Sequence, residues 1–76
     1  MSEYRYNVDT TVTFGNCTTI TSFGFDTVGA ALRSFNEAIE LRRRSHTEGQ
    51  VWSVTLYDME LCDIRASISS TDFNLE

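Results

Sequence analysis

One long alternating run that stops at a two-residue turn constrains this chain more than any other feature. Tyr4, Tyr6, Val8, Thr10, Val12 and Phe14 alternate with Arg5, Asn7, Asp9, Thr11 and Thr13, a period of two in β-forming residues. Gly15 and Asn16 follow, types that tolerate the backbone of a tight hairpin turn. Such a turn sets Phe14 opposite Cys17, and the pairing then runs Val12 to Thr19, Val8 to Phe23 and Tyr6 to Phe25. The large apolar residues of both strands fall on one face, so turn chemistry and hydrophobic pattern specify the same register. Ile20 is the misfit, landing on the opposite face beside Thr11.

The period then changes from two to three-four. Asp26 and Thr27 offer an N-cap, and Val28, Ala31, Leu32, Phe35, Ala38, Ile39 and Arg42 form one stripe of a helix. Glu40 and Arg44 stand at i,i+4, and Arg42, Arg43 and Arg44 fall in the last turns, where the helix dipole favours cations. Ser45 to Gln50 reads as helix end and loop, with Gly49 as terminator. A third strand covers Val51 to Tyr57, with Trp52, Val54 and Leu56 sharing a face. A turn at Asp58-Met59-Glu60-Leu61 leads to a fourth strand in which Cys62, Ile64, Ala66 and Ile68 point inward. Residues 70–76 read as a loose polar tail containing Phe73 and Leu75.

These elements predict an α+β fold of ββαββ order: a four-stranded antiparallel sheet, strand order 2-1-3-4, with one helix on its apolar face. Seventy-six residues fit a single domain over residues 1–76. In this topology Cys17 and Cys62 follow turns at opposite ends of the sheet. Strands of about eight residues separate them by roughly 25 Å, whereas a disulfide needs Cα atoms within about 7 Å. Both are expected as buried free thiols in a reducing cytosol. No apolar run approaches the ~18 residues of a membrane span and the first residues lack signal-peptide character, so a cytoplasmic, unprocessed protein is expected.

Charge divides the same way. Arg42, Arg43 and Arg44 gather near the first turn, and Asp26, Asp58, Glu60 and Asp63 at the other end. The net charge is −5 and every base is arginine. An acidic total argues against direct nucleic-acid binding, which needs basic charge against phosphate, and suits docking on a basic surface. Catalytic and metal chemistry find no constellation. His46 is the only histidine and reads as a solvated loop residue. The cysteines lack CxxC spacing, and Asp58, Glu60 and Asp63 lack the glycine and spacing of a calcium loop. Gly24 and Gly29 match no phosphate-binding motif. No cofactor, metal or enzymatic activity is expected.

Two surfaces remain. The open face of the sheet should carry Arg5, Asn7, Asp9, Thr11, Thr13, Thr18, Ile20, Ser22, Val51, Ser53, Thr55, Tyr57, Arg65 and Ser67. That is a hydroxyl floor in which Ile20, Val51 and Tyr57 are more apolar than solvent requires. The second strand has no charge from Cys17 to Phe25, so nothing guards that edge against another chain. The Arg42-Arg43-Arg44 run suits either a solvated helix end or an anchor for acidic protein, phosphate or the chain's own tail.

A short acidic ββαββ chain with FDTVGAALRSFNEAIEL between its hairpins, followed by VWSVTLYDME, resembles the small accessory proteins of phages and mobile elements, among them anti-CRISPR and related anti-defence inhibitors. The resemblance lies in whole-chain architecture and carries no residue across; Leu61, where many such hairpins have Gly, departs from the pattern. It implies a non-enzymatic inhibitor acting in the host cytoplasm on a larger nucleic-acid-handling defence complex, such as a CRISPR effector, with a basic surface. The residues themselves nominate Asp58, Glu60 and Asp63 as contacts, Tyr57 as aromatic anchor, and Ile20, Val51 and the arginine run as secondary surfaces. The alternative is a self-associating structural or regulatory module, a homodimer through the sheet edge or open face.

Overall fold

A computed structural model of the chain describes residues 4–73. The elements are β1 (Tyr6–Phe14), β2 (Cys17–Phe25), α1 (Val28–Arg44), β3 (Gln50–Asp58), β4 (Asp63–Ser69) and a short 3-10 turn at Ser70–Asp72. The sheet is antiparallel throughout in the order β2-β1-β3-β4, as the sequence predicts. The first hairpin has the register read from its turn, Phe14 opposite Cys17 through Tyr6 opposite Phe25. Gly15 takes the positive φ of 64° and Asn16 does not, the pattern of a type II′ turn, whose twist matches that of the strands.

The helix begins where Thr27 Oγ1 accepts the Ala30 N–H at 3.3 Å, and it ends at Ser45, four residues short of Gly49. Gly49 instead takes a φ of 86° in the turn that feeds β3. Ala31 and Phe35 of α1 pack on Tyr6, Val8, Trp52, Val54 and Leu56 to make the core, with Val12, Phe25, Ala38, Ile39, Ala66, Ile68 and Phe73 around it. Glu40 pairs with Arg43 at 3.9 Å, one residue before the expected Arg44, because i,i+3 neighbours share the helix surface equally well.

One helix about 10 Å wide covers two strands spaced ~4.8 Å apart, and here it lies over β1 and β3. The β4 side is roofed by the end of the chain. Ser70 Oγ, buried, accepts the Trp52 N–H at 3.2 Å, and the Phe73 ring lies 5.9 Å from the Trp52 ring with the Arg43 guanidinium 4.7 Å above it. Residues 70–73 are therefore docked, contrary to the expected loose tail; Leu75 lies outside the described residues. Among the described residues nothing comparable covers the β2 side, which α1 reaches only at its margin.

The second hairpin departs from the expected alternation. Leu56 pairs with Ala66 but Tyr57 pairs with Ile64, so β4 bulges at Arg65. The extra residue turns Ile64 from the helix side to the outer face, where it is 55% exposed. Cys62 is not part of β4. It occupies the turn with a φ of 52°, the left-handed conformation that glycine was expected to supply one position earlier. Both cysteines are exposed and free, not buried: Cys62 because it sits in this turn, Cys17 because it lies on the part of β2 that α1 does not reach.

Candidate functional site

The outer face of the sheet can be written out row by row from the strand pairings. Gly24, Asn7, Tyr57 and Ile64 form the row at the end bearing the second turn. Ser22, Asp9, Thr55 and Ser67 come next, then Ile20, Thr11, Ser53 and Ser69, and last Thr18, Thr13 and Val51. The Ser22–Asp9–Thr55–Ser67 row and the Thr18–Thr13 pair of the last row are bonded across their strands. Ser22 Oγ donates to Asp9 Oδ1 at 2.7 Å, Asn7 donates to the same oxygen, and the hydroxyl pairs Thr55–Ser67 and Thr13–Thr18 stand at 3.2 and 3.1 Å. With their groups turned toward one another, these rows have less to offer a partner than the row at the end.

At that end the face turns apolar. Tyr4 lies across Gly24 so closely that a Cβ there would overlap its ring. Tyr57, Ile64 and Tyr4 thus stud one row, and the adjoining turn exposes Met59 and Leu61. Glu60, two-thirds exposed, lies on that turn, and Asp63, the first residue of β4, is exposed at the same end of the sheet but opposite Asp58, on the helix side. The sequence nominates Tyr57, Glu60 and Asp63 at this end. It misses Tyr4, Ile64 and Leu61, of which only Tyr4 leaves a trace: Gly24 interrupts the alternation of β2 where an aromatic needs room.

Asp58 departs furthest from its sequence assignment. Nominated as a contact, it is only 1% exposed and cannot present its carboxylate to a partner. Its Oδ1 accepts the N–H groups of Glu60 at 3.1 Å and Leu61 at 3.2 Å, which shapes the turn, and its Oδ2 faces the Arg5 guanidinium at 3.5 Å. Burial alone would push this carboxyl up. The Leu61 N–H, the Arg5 guanidinium and the Glu60 N–H together outweigh burial and hold it below its ordinary value. Arg5, expected on the open face, also reaches Glu60 at 3.5 Å and lies 5.3 Å over the Tyr6 ring. Glu60 first, then Tyr6 and Asp58, push Arg5 up from its usual value. Only Glu60 and Asp63 of the three nominated carboxylates remain exposed, Glu60 with Arg5 beside it.

The remaining candidates are scattered. Ile20 is 67% exposed on the β2 edge, and Val51 is exposed at the opposite end of the sheet from Tyr57. Arg42 lines a groove between α1 and β2, Arg43 stacks on Phe73, and Arg44 lies at the helix terminus. His46 is half-buried, not solvated. It borders a cavity of about 270 Å³ with Gln50, Ser70 and Phe73, because the docked chain end closes over it. Among the described residues no three of His, Cys, Asp and Glu come together where they could hold a metal ion, and no helix is long and apolar enough to cross a membrane.

Fold and surface together define a small α+β domain with one roofed and one bare sheet face. Compared with protein families, curated proteins and solved structures, the chain has no match.

Proposed function

We infer that the protein is a non-enzymatic binding protein that acts by covering a surface of a larger protein assembly with the Tyr57 end of its bare sheet face. The observation that carries this reading is the convergence of exposed apolar groups (Tyr4, Ile64, Leu61) with Tyr57 and the carboxylates of Glu60 and Asp63 on one end of the sheet. Aromatic and aliphatic anchors supply affinity once desolvated, and a rim of one charge selects the partner. With a net charge of −5 the complementary partner is basic. Assemblies that hold nucleic acid present such surfaces, and the resemblance to phage and mobile-element inhibitors names a defence complex of that kind, such as a CRISPR effector, in the host cytoplasm.

The test is isolation of the tagged protein from a bacterial lysate with and without nuclease, followed by identification of what accompanies it. The reading expects a nucleic-acid-handling complex that survives nuclease, is shed at high salt and is lost with Tyr57→Ala combined with Glu60→Gln and Asp63→Asn. A partner retained equally by that variant, or one that disappears on nuclease treatment, would sink it.

A further inference from the structure

We propose that β2 is the contact of a two-fold homodimer, in which β2 of one protomer pairs antiparallel with β2 of a second to form one eight-stranded sheet. Three observations carry this beyond the binding reading above, and they concern a different surface.

The first is the hydrogen-bonding parity of the strand. A two-residue turn makes Phe14 and Cys17 a bonded pair, so Cys17, Thr19, Thr21, Phe23 and Phe25 direct their backbone groups at β1. Thr18, Ile20, Ser22 and Gly24 direct theirs out of the sheet. Among the described residues β2 pairs on one edge only, with β1, and the strand holds no Lys, Asp, Glu, Arg or Pro to repel another chain.

The second is self-complementarity. One antiparallel register pairs the whole strand with itself: Cys17 meets the partner's Phe25, Thr19 the partner's Phe23, and Thr21 its own copy on the two-fold axis. The outward-bonding residues then pair Ile20 with the partner's Ser22 and Thr18 with the partner's Gly24. In this register each large side chain lies across from a small one on both faces of the sheet.

The third is what would be covered. Phe23 is 58% exposed and Ile20 67% exposed in the single chain. Between β2 and α1 runs a groove of about 510 Å³ bordered by Val12, Thr19, Ala38 and Leu41. The partner's Phe23, beside Thr19, extends the row of Val12 and Trp52 into that groove. A strip of nine paired residues is about 30 Å long. Covered to the depth of one side chain on each face, it hides on the order of 900 Å² in total, below the roughly 1,200 Å² of a stable interface and in the range of weak, reversible ones. Association is therefore concentration-dependent. Both bare faces then point the same way, which presents the Tyr57 end twice.

Sedimentation across a concentration series reads the mass, and the expected result is a rise toward two chains. Ile20→Lys, a change on an exposed edge, should hold the mass at one chain with an unaltered circular dichroism spectrum. The register is read by Thr21→Cys in a Cys17→Ser, Cys62→Ser background, with oxidised glutathione as oxidant. A non-bonded pair on the axis brings its Cα atoms to about 4.5 Å, within disulfide range, so a covalent dimer should form, whereas Thr18→Cys should give none. A mass of one chain at every concentration overturns the proposal. So does a dimer that Ile20→Lys leaves intact, or cross-linking by Thr18→Cys in preference to Thr21→Cys.

Discussion

The bulge in β4 can be tested by truncating one residue on each face of the sheet next to it. Leu56 is 2% exposed under α1, while Ile64, two residues from Leu56's partner Ala66, is 55% exposed on the outer face. Leu56→Ala removes three buried carbons, about 2.4 kcal/mol of transfer free energy at ~0.8 per methylene. The cavity left behind raises the loss to roughly 3 kcal/mol. Ile64→Ala removes the same number of carbons with less than half of their surface covered, about 1 kcal/mol at most. A domain of this size has a total stability on the order of 4–11 kcal/mol, and each kcal/mol moves Tm by about 4–8 °C. Leu56→Ala should therefore lower Tm by roughly 15 °C and Ile64→Ala by about 5 °C. Paired thermal melts with urea titrations at constant m measure the difference. Equal losses would refute the bulge and restore the unbroken alternation in which Ile64 belongs to the core.

Two further expectations concern the Tyr57 end. Because the folded protein holds the Asp58 carboxyl below its ordinary value of 3.8, its contribution is fully present above that value and is lost as pH falls through the lower folded value. Asp58→Asn should thus melt below the parent at neutral pH, and the two curves should converge on acidification below about pH 4; a constant gap down to strong acid would contradict the linkage. Gly24→Ala should destabilise the parent by about 1 kcal/mol through the Tyr4 ring and have little effect in a Tyr4→Ala background, and additivity in this double-mutant cycle would remove the contact.

Strand order, first-hairpin register and the inward set Val8, Trp52, Val54 and Leu56 were legible in the sequence, because each is fixed by a period of two joined to one turn. What escaped follows from non-local geometry. Alternation gives the parity of a residue but not the footprint of the helix, so Phe23 and Cys17, inward by parity, are bare because α1 lies over β1 and β3. A bulge adds one residue without altering composition, and Ile64 changed faces unseen. Asp58 reads as surface by type, yet it is buried because the turn's own N–H groups and Arg5 satisfy it. Of the nominated residues at this end, Glu60 and Asp63 are exposed, Tyr57 is half-buried and Asp58 is buried, and Tyr4, Ile64 and Leu61 are exposed there as well.

Amide hydrogen exchange of the protein, free and bound to the assembly it isolates, tests most directly that the Tyr57 end is the binding surface. The expected result is protection on binding at Tyr57–Ile64 and in the segment carrying Tyr4 and Arg5, with the polar side of α1 unchanged. Protection confined to α1 or to the Val51 end of the sheet would contradict the account.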